Sequence, residues 1–422
     1  LPSHLNVTKM YEMYKESVKK EHDQEHHDEE DDWQAKCVSI NTYKRVFLKD
    51  FNLKFKSPKK DTCKKCDFLK VQIDAEELKP GKDTNVILAE LKVNQELHHR
   101  QAEKSTIIRD ADIAEAKTGE VQVISFDLQK VFPLPKITTN EAYYKRQLSV
   151  LNFGIQDLAS EQAYMYIWHE GIASRGPQEI ASCLRKYVQD NVNGKKLIAW
   201  SDACGGQNRN VKLVLAYMYL VAQSDVPLDT IVHKFCLSGH SYLPNDRDFS
   251  QIENKIRKRD TVYSFEDFVQ IVKSSKQNQR SFKVTEMSAN DFFSTSTLEH
   301  QITNRKKDVQ KQTVSWLRMM EIQVKQDKPD ILYFKYTHDK DVPYYELDLR
   351  KKINGVAPNF SGKSLGLLHP EGHAISAEKL KDIKHLLKYI PEVYHGFYHQ
   401  LKSINDVEQE DSDGVVLEDV TD

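Results

Sequence analysis

The sequence has no apolar run long enough to cross a membrane. The longest candidate, residues 211–222, contains Lys212 and is shorter than the roughly 18 to 20 residues that a membrane helix needs. Cysteine is also scarce, with 6 residues in a chain of 422, and glycine and proline number 15 and 13. These counts exclude a disulfide scaffold, a collagen-like chain and a low-complexity chain. The sequence therefore predicts a globular protein of more than one domain, with no membrane partner.

Basic residues are absent from two strongly acidic segments. Residues 21–32 hold eight acids and no Lys or Arg, and residues 404–422 hold another eight and again none. Because the whole chain has a formal net charge of only -2, the remaining residues are net basic. We predict a solvated loop at 21–32 and a disordered acidic tail at 404–422. A basic body is compatible with a polyanionic partner, although solvated helix faces would explain the same surplus.

Residues 1–118 are predicted to form a helical N-terminal region. A helical pattern covers residues 1–20. Residues 85–117 are rich in Ala, Glu, Lys and Leu and contain no Pro or Gly, which predicts a helix of many turns. Gly119 follows this stretch, as glycine commonly follows the end of a helix.

After Gly119 the pattern changes from helical to strand-like. Three strand-like runs lie at 120–132, 148–157 and 163–171, and Pro177 then opens a helix. Alternating strands and helices complete the order β-β-β-α-β-α-β-α, which is typical of a ribonuclease H-like core. The predicted fold class is α/β (mixed α+β), with a catalytic domain at 119–275.

Residues 276–403 are predicted to be a mixed C-terminal accessory region. Strand candidates occur at 281–288, 331–338 and 344–351. Residues 302–327, in which Trp316 lies among basic residues, are predicted to form a helix that could contact DNA. The basic run at 255–259 could follow a DNA backbone or act as a nuclear import signal, whereas a solvated helix face is the simpler interpretation.

Two aspartates fall where apolar strands end. Asp127 lies within a strand-like run, where an unpaired carboxylate is costly unless a positive charge meets it. Asp202 ends another run and precedes a glycine-containing loop, in which Gln207, Asn208 and Asn210 could contact phosphates or position an acid. Each aspartate alone is as easily a cap or turn residue. Together they predict a divalent-ion site for Mg²⁺ or Mn²⁺, which prefer oxygen ligands.

A third acidic ligand has two candidates on one predicted helix. Asp246 and Glu253 are seven residues apart, so both can face the same side while Asp248 points elsewhere. We leave Asp246 and Glu253 as alternatives. His240 precedes this helix and could orient a scissile phosphate or bind a ligand, and a hydrogen-bonded turn histidine is the competing interpretation.

The two cysteines of the sequence DTCKKCD have the spacing of a zinc knuckle. Cys63 and Cys66 supply two thiolates, but structural zinc needs four ligands and the sequence has no second such pair. His98 or His99 could supply the third ligand, and Cys37 is a conceivable fourth. The pair predicts a structural Zn²⁺ site, with a reduced and unligated pair as the alternative.

Five segments, in order, resemble a known family. They are SFDLQKVFPLP, YYKRQLSVLNFGIQD, YIWHEGIASRGPQEIASCL, SDACGGQNRN and GHSYLPNDRDFSQIE. The segments resemble a transposon-derived eukaryotic family with a ribonuclease H-like (DDE/DDD transposase-like) core, mostly catalogued as a domain of unknown function. The resemblance implies metal-dependent cutting and joining of DNA, with Asp127 and Asp202 as the first two acids. It favours Asp246 as the third acid, with Glu253 competing.

The resemblance leads to a function expectation with two alternatives. We expect phosphodiester hydrolysis and DNA strand transfer at double-stranded transposon ends, in the nucleus, by a chain that could act as a homo-oligomer. The first alternative is a domesticated, inactive DNA-binding or scaffold protein. The second is a metal-dependent nuclease that cuts without joining.

Overall fold

The structure is a computed structural model. It describes residues 5–25, 33–51, 62–79, 86–223, 226–277, 280–302, 306–350 and 364–403. The predicted acidic tail at 404–422, and residues 26–32 of the predicted acidic loop, lie outside the described residues. The loop prediction is wrong for residues 21–25, which continue the first helix. Their Glu and Gln residues are good helix formers, and this propensity outweighs the repulsion between neighbouring acids.

The described residues form eleven α-helices and ten β-strands. The helices are α1 (Val7–Glu25), α2 (Ile40–Asp50), α3 (Lys64–Glu77), α4 (Val86–Ala116), α5 (Pro177–Asn191), α6 (Val211–Ala222), α7 (Pro244–Arg257), α8 (Phe265–Lys273), α9 (Ser296–Glu299), α10 (Ala377–Leu386) and α11 (His395–His399). The strands are β1 (Gln122–Leu128), β2 (Phe132–Leu134), β3 (Leu148–Asp157), β4 (Ala163–His169), β5 (Lys196–Ser201), β6 (Thr230–Phe235), β7 (Lys283–Glu286), β8 (Glu321–Lys325), β9 (Lys328–Lys335) and β10 (Tyr345–Asp348). The predicted mixed α/β class is confirmed. None of the described helices combines the length and apolar character that a membrane crossing requires.

The first of two compact units comprises residues 1–68. Helices α1 and α2 pack through tyrosine rings: the Tyr43 centroid lies 5.6 Å from that of Tyr11 and 5.4 Å from that of Tyr14. Ser39 caps α2, since its side chain accepts a hydrogen bond from the Thr42 backbone N–H. The predicted helical character is confirmed for these residues.

The second unit, residues 69–422, contains the sheet. Its strand order is β10-β9-β8-β6-β5-β1-β3-β4-β7, and β2 pairs with β3. Strand β1 is antiparallel to β3 and parallel to β5, and β5 is parallel to β6. Strands β7 and β8–β10, which come from the predicted accessory region, extend the sheet at its two sides. The strands predicted at 281–288, 331–338 and 344–351 are therefore confirmed as β7, β9 and β10.

Residues 120–132 were predicted as one strand and instead form β1 and β2. Both pair with β3, with Leu128 opposite Phe153 and Phe132 opposite Val150. The four residue steps from Leu128 to Phe132 thus pair with only three steps of β3, as in a β-bulge. Four strands therefore precede α5, and the irregular segment between β1 and β2 begins two residues after Asp127.

The helix predicted at 302–327 is wrong for the described residues of that range. Residues 316–318 form a single 3-10 turn, and β8 occupies residues 321–325. In β8 the apolar residues Ile322 and Val324 alternate with polar ones and are buried, which is the period of a strand and not of a helix. Trp316 is also buried, at 5% exposure. The described residues therefore do not form the helix on which the DNA contact around Trp316 was predicted.

Helix α4 confirms the long helix predicted at 85–117. It ends shortly before Gly119, which has a φ of +87°, a conformation that glycine adopts without strain. A buried group holds α4 on the sheet: Lys234 Nζ lies 2.7 Å and 2.9 Å from the two carboxylate oxygens of Asp112, and Trp200 Nε1 donates to Asp112 at 3.0 Å. This carboxylate has both a cation and a hydrogen-bond donor.

Helices cover both faces of the sheet. On one face α5 and α6 bury the largest apolar cluster, which includes Phe126, Phe153 and Trp168. On the other, α7, α8 and α10 pack on β3 and β4 around Phe249 and Phe268. This layering leaves the carboxyl ends of β1 and β5 at one edge of the core.

Candidate carboxylate site and cysteine-histidine group

The strand register places Asp127 and Asp202 side by side. In the parallel pair β1 and β5, Ser125 is opposite Trp200, so continuing the register by two residues brings Asp127 opposite Asp202. Adjacent strands are about 4.8 Å apart. Both carboxylates are half-buried at the carboxyl ends of their strands. The sequence indicated these two strand ends but could not give the register.

Burial and like charge raise the pKa of Asp127 to about 7. Desolvation is the largest cause, and the negative charge of Asp202 is the next. The charge of Asp246 raises the pKa further, whereas a hydrogen bond from the Leu128 backbone N–H, 2.8 Å from Asp127 Oδ1, lowers it. Arg175 lowers it as well and is the smallest of these contributions. The three aspartates therefore act on one another, and their mutual repulsion favours a cation.

The loop after β5 holds the Asp202 carboxylate in place. The Asn208 side-chain amide and the Cys204 backbone N–H both donate to Asp202 Oδ1, the latter at 3.3 Å. Asn210 instead caps α6, since its side chain accepts from the Leu213 N–H at 3.0 Å. Of the amides singled out in the sequence, Asn208 thus positions an acid and Asn210 positions a helix.

Helix α7 brings Asp246 towards β1 through the neighbouring residue. The side chain of Asn245, which is buried, accepts from Ser125 Oγ at 2.7 Å and donates to the Gly154 carbonyl at 2.9 Å. Gly154 allows the close approach, because a Cβ there would lie 2.8 Å from the ring of Phe249. Asn245 is fixed to two strands, and the exposed Asp246 follows it in the first turn of the helix.

The other acids of α7 have different surroundings. Asp248 is buried and accepts from Lys276 Nζ at 3.2 Å, so it points away from Asp246 as predicted. Glu253 is exposed and lines a cavity of about 590 Å³ together with Gln129 and Lys130. Its charge is not among the causes that shift the pKa of Asp127. These surroundings favour Asp246 over Glu253 as the third member of the carboxylate group.

Two positioning features of this region were not identified from the sequence. Ser201 Oγ lies 2.8 Å from His233 Nε2, and His233 Nδ1 lies 3.3 Å from the Tyr217 hydroxyl. Burial, followed by the charge of Arg209, lowers the pKa of His233 to about 3. This buried series of hydrogen-bonded side chains begins at Ser201, the residue that precedes Asp202. No local motif signals it, since the three residues come from β5, α6 and β6.

A second missed residue is Arg175. It is exposed in the segment between β4 and α5, and its positive charge acts on Asp127. An exposed guanidinium near a cluster of carboxylates can bind a phosphate through bidentate hydrogen bonds. The only signal in the sequence is its position just before Gly176 and Pro177, which open α5.

The cysteines of the predicted zinc knuckle lie at the start of α3. Cys63 is buried and Cys66 is partly buried. Burial and the neighbouring Cys63 thiol raise the pKa of Cys66 to about 11. On α4, His98 is buried, and its ring centroid lies 5.0 Å from that of His240, while the His99 centroid is 6.3 Å from that of His240.

Cys63, Cys66, His98 and His240 form a group that could hold a metal ion such as zinc. Two thiolates and two imidazoles are the donor set of many structural zinc sites. Neither His99 nor Cys37 is in this group, although the sequence left both open as ligands. Its fourth member is His240, which the sequence had associated with the acids and not with the cysteines.

The comparisons with known proteins identify a domain but no activity. Residues 145–335 match the family described as Domain of unknown function (DUF7869). No curated protein matches the chain. The matched range includes Asp202, His240, Asp246 and Glu253, whereas Asp127, Cys63, Cys66 and His98 lie outside it.

Proposed function

We propose that the chain is a divalent-metal-dependent enzyme of the transposase type, which hydrolyses and joins DNA phosphodiesters at a site formed by Asp127, Asp202 and Asp246. The observation that carries the proposal is the half-buried Asp127 carboxylate, whose pKa is raised by two neighbouring carboxylates and by burial. Such an arrangement is unfavourable unless a cation binds there. Clustered carboxylates of this kind are what a two-metal site for phosphoryl transfer requires.

The order of strands supports a ribonuclease H-like core as part of this proposal. Strands β4, β3 and β1 are successively antiparallel, and β5 and β6 are added parallel to β1. Helix α6 connects the parallel strands β5 and β6, and α5 lies between β4 and β5 in the chain. The carboxylates come from the two central strands and from the first helix after β6.

The donor chemistry of the site suits Mg²⁺ or Mn²⁺. The three candidate ligands are carboxylates, which these hard cations prefer. When bound, such ions lower the pKa of a water nucleophile and stabilise the leaving oxygen. The chain itself supplies the position of each acid: Asn208 holds Asp202, Asn245 holds the helix of Asp246, and the Leu128 N–H holds Asp127.

The proposed substrate chemistry is an exchange of bonds at phosphorus. In hydrolysis a water oxygen bonds to phosphorus, the bond from phosphorus to the 3′ oxygen breaks, and that oxygen takes up a proton. In strand transfer the freed 3′-hydroxyl oxygen bonds to the phosphorus of a second phosphodiester, the bond from that phosphorus to its own 3′ oxygen breaks, and this leaving oxygen takes up the proton that the attacking hydroxyl gives up. In this proposal Arg175, whose positive charge acts on Asp127, binds a phosphate oxygen. The proposed setting is the nucleus, which the basic run at 255–259 supports.

The test is cleavage of supercoiled plasmid by the purified chain with Mg²⁺ or Mn²⁺, beside Asp202→Ala and the control Asp110→Ala. Asp110 is an exposed aspartate of α4. We expect cutting by the wild type and by Asp110→Ala, and none by Asp202→Ala. Equal cutting by all three would contradict the proposal. Nicked DNA without joined products would favour a nuclease, and DNA binding without metal-dependent cutting would favour a domesticated scaffold.

We also propose that Cys63, Cys66, His98 and His240 bind one structural zinc ion. The support is a complete set of four donors of the types that tetrahedral zinc prefers. Metal analysis of the purified chain should give one zinc per molecule, and Cys66→Ser should lose it. Cys37→Ser is the matched control and should keep it. Zinc loss in Cys37→Ser, or zinc retained in Cys66→Ser, would contradict this ligand set.

A further inference from the structure

A cavity of about 590 Å³ lies between the segment that follows β1 and the second half of α7. One wall is the segment that follows β1, from Gln129 through Tyr143, and the other is the second half of α7, with Glu253, Ile256 and Arg257. Each wall begins next to an acid of the proposed site: Gln129 is two residues beyond Asp127, and Glu253 is two helical turns beyond Asp246 on the same face. The two walls therefore extend from the elements that carry Asp127 and Asp246.

The charge of the cavity suits a polyanion. Lys130 and Arg257 are exposed, and within the part of the chain that the structure describes neither forms an ion pair. Lys136 is engaged with the end of α7, where its Nζ donates to the Ile256 carbonyl at 2.8 Å. Glu253 is the one acid among the lining residues. Lys130 and Arg257, which form no ion pair among the described residues, thus line the cavity together with one carboxylate, Glu253. Glu253 lies on α7, the helix that also carries the proposed metal ligand Asp246.

An exposed aromatic side chain lines the cavity. Tyr143 lines it and is 86% exposed. Tyr144 is 80% exposed and packs edge-on against Tyr143, with centroids 5.2 Å apart, but does not line the cavity. Because both tyrosine rings stay exposed in the folded chain, burial in the core does not explain why aromatic residues occupy these two positions. An exposed aromatic ring and cations that line one cavity are the combination that binds unpaired bases and their phosphates in single-strand binding sites.

The size of the cavity matches a short piece of single strand. A volume of about 590 Å³ falls within the range of small-ligand sites, roughly 300–1,000 Å³. One or two nucleotides of a single strand fit such a space. We propose that this cavity binds the unpaired nucleotides of a DNA strand that flank the reacting phosphodiester, with the base stacked on Tyr143 and the backbone phosphates at Lys130 and Arg257.

This inference rests on the proposed function for its location, but binding can be measured without catalysis. The measurement is fluorescence anisotropy of the full-length chain with a labelled duplex that carries a short single-stranded overhang, in Ca²⁺ to suppress cutting. A blunt duplex of the same sequence is the reference. We expect tighter binding of the overhang DNA. We expect Tyr143→Ala to weaken that binding by roughly tenfold, since stacking on one base has about that effect.

The controls are neighbours of the tested residues. Tyr144→Ala removes an equally exposed tyrosine outside the cavity and should weaken binding of the overhang DNA much less than Tyr143→Ala. Arg257→Glu should weaken it and flatten its salt dependence, whereas Lys258→Glu makes the same charge change at an exposed residue that does not line the cavity. All four substitutions are at exposed side chains, and their fold is checked by thermal unfolding.

Three outcomes overturn the inference. Either the wild type binds overhang and blunt DNA equally, or Tyr143→Ala and Arg257→Glu bind like their neighbouring controls. Tighter binding of an RNA overhang than of DNA would also contradict it. Failure of the proposed function gives a different result: no metal-dependent cutting by the wild type, with the overhang preference and the Tyr143 effect still present.

Discussion

Asp112 and Asp127 are both near the sheet, but one carboxylate is surrounded by positive and hydrogen-bond-donating groups and the other by negative charges. Asp112 on α4 is 3% exposed and lies against the Lys234 ammonium and the Trp200 indole N–H. Asp127 on β1 is subject to the charges of Asp202 and Asp246, and among the main causes that shift its pKa the positive charge of Arg175 has the smallest effect. The folded chain thus satisfies Asp112 by itself. It leaves Asp127 dependent on a cation from outside, so we interpret Asp112 as structural and Asp127 as functional.

The largest expected effect separates the two candidate third acids. If the aspartates that act on Asp127 hold the metal, Asp246→Asn should lower DNA cleavage by about 10²- to 10³-fold, the scale seen when one transition-state contact is lost. Glu253→Gln should lower it less than tenfold, because Glu253 does not act on Asp127. Steady-state cleavage rates at saturating metal give both numbers. A larger loss in Glu253→Gln would reverse the assignment.

Removing the satisfied carboxylate should cost stability instead. Asp112→Ala leaves the Lys234 ammonium buried without its partner, so we expect a loss of about 3–5 kcal/mol in the free energy of unfolding. The double variant Asp112→Leu with Lys234→Met removes both charges and should lose less. Asp229→Ala is the control, because its pair with Lys195 is exposed and should contribute less than about 1 kcal/mol. Urea unfolding measures all three, and equal losses for Asp112→Ala and Asp229→Ala would contradict this account.

A pH series tests the unsatisfied carboxylate. Since the pKa of Asp127 in the folded chain is about 7, above its ordinary value of 3.8, the folded state holds this proton more tightly than the unfolded state. This contribution to stability is fully present below about pH 4 and is lost as the pH rises through 7. Without divalent metal, Asp127→Asn should therefore gain in melting temperature relative to the wild type from pH 4 to 8.

The comparison with Asp127→Asn is needed because other groups oppose the trend. Burial lowers the pKa of His233 to about 3 and that of His169 to about 4, so these residues stabilise the fold as the pH rises through their usual range. Mg²⁺ should raise the melting temperature of the wild type at pH 8 more than that of Asp127→Asn. A difference between the two proteins that stays constant with pH would show that Asp127 has no raised pKa.

The smallest effect concerns the placement of α7. Gly154→Ala puts a methyl group 2.8 Å from the Phe249 ring, so α7 must shift, at a cost of about 1–3 kcal/mol. Cleavage should fall as well, because Asn245 and Asp246 move with the helix. Gly194→Ala is the matched control, since no atom lies within 4 Å of the added methyl group. Similar stability for both variants would mean that β3 and α7 are packed loosely enough to accommodate the added methyl group.

The sequence anticipated elements better than it anticipated their assembly. Apolar runs and caps sufficed for α4, β3, β4 and α5, because local propensity and burial agree there. The prediction failed at 302–327, where many Lys and Gln residues suggested a helix, but alternating apolar residues pair β8 with β6. It also missed the break after Asp127, because a bulge depends on the register with β3 and leaves no local signal.

The candidate sites show the same division between local and long-range information. Asp127 and Asp202 could be singled out because each carboxylate ends an apolar strand. The cysteine pair was identified from its spacing, and His98 was one of two neighbouring histidines left open as the third ligand. The membership of His240 in the metal-binding group, and the actions of Arg175 and Asn245, depend on residues far apart in the chain. No spacing rule reports such contacts.

Direct measurement of Mn²⁺ binding tests the central claim that Asp127 requires an added cation. Electron paramagnetic resonance of the zinc-loaded chain, titrated with Mn²⁺ at pH 7.5, counts the bound ions, with Asp127→Asn and Asp112→Asn beside the wild type. We predict that Mg²⁺ competes for the Mn²⁺ bound by the wild type, that folded Asp112→Asn retains this site, and that Asp127→Asn loses it. Equal Mn²⁺ binding by wild type and Asp127→Asn would contradict the account.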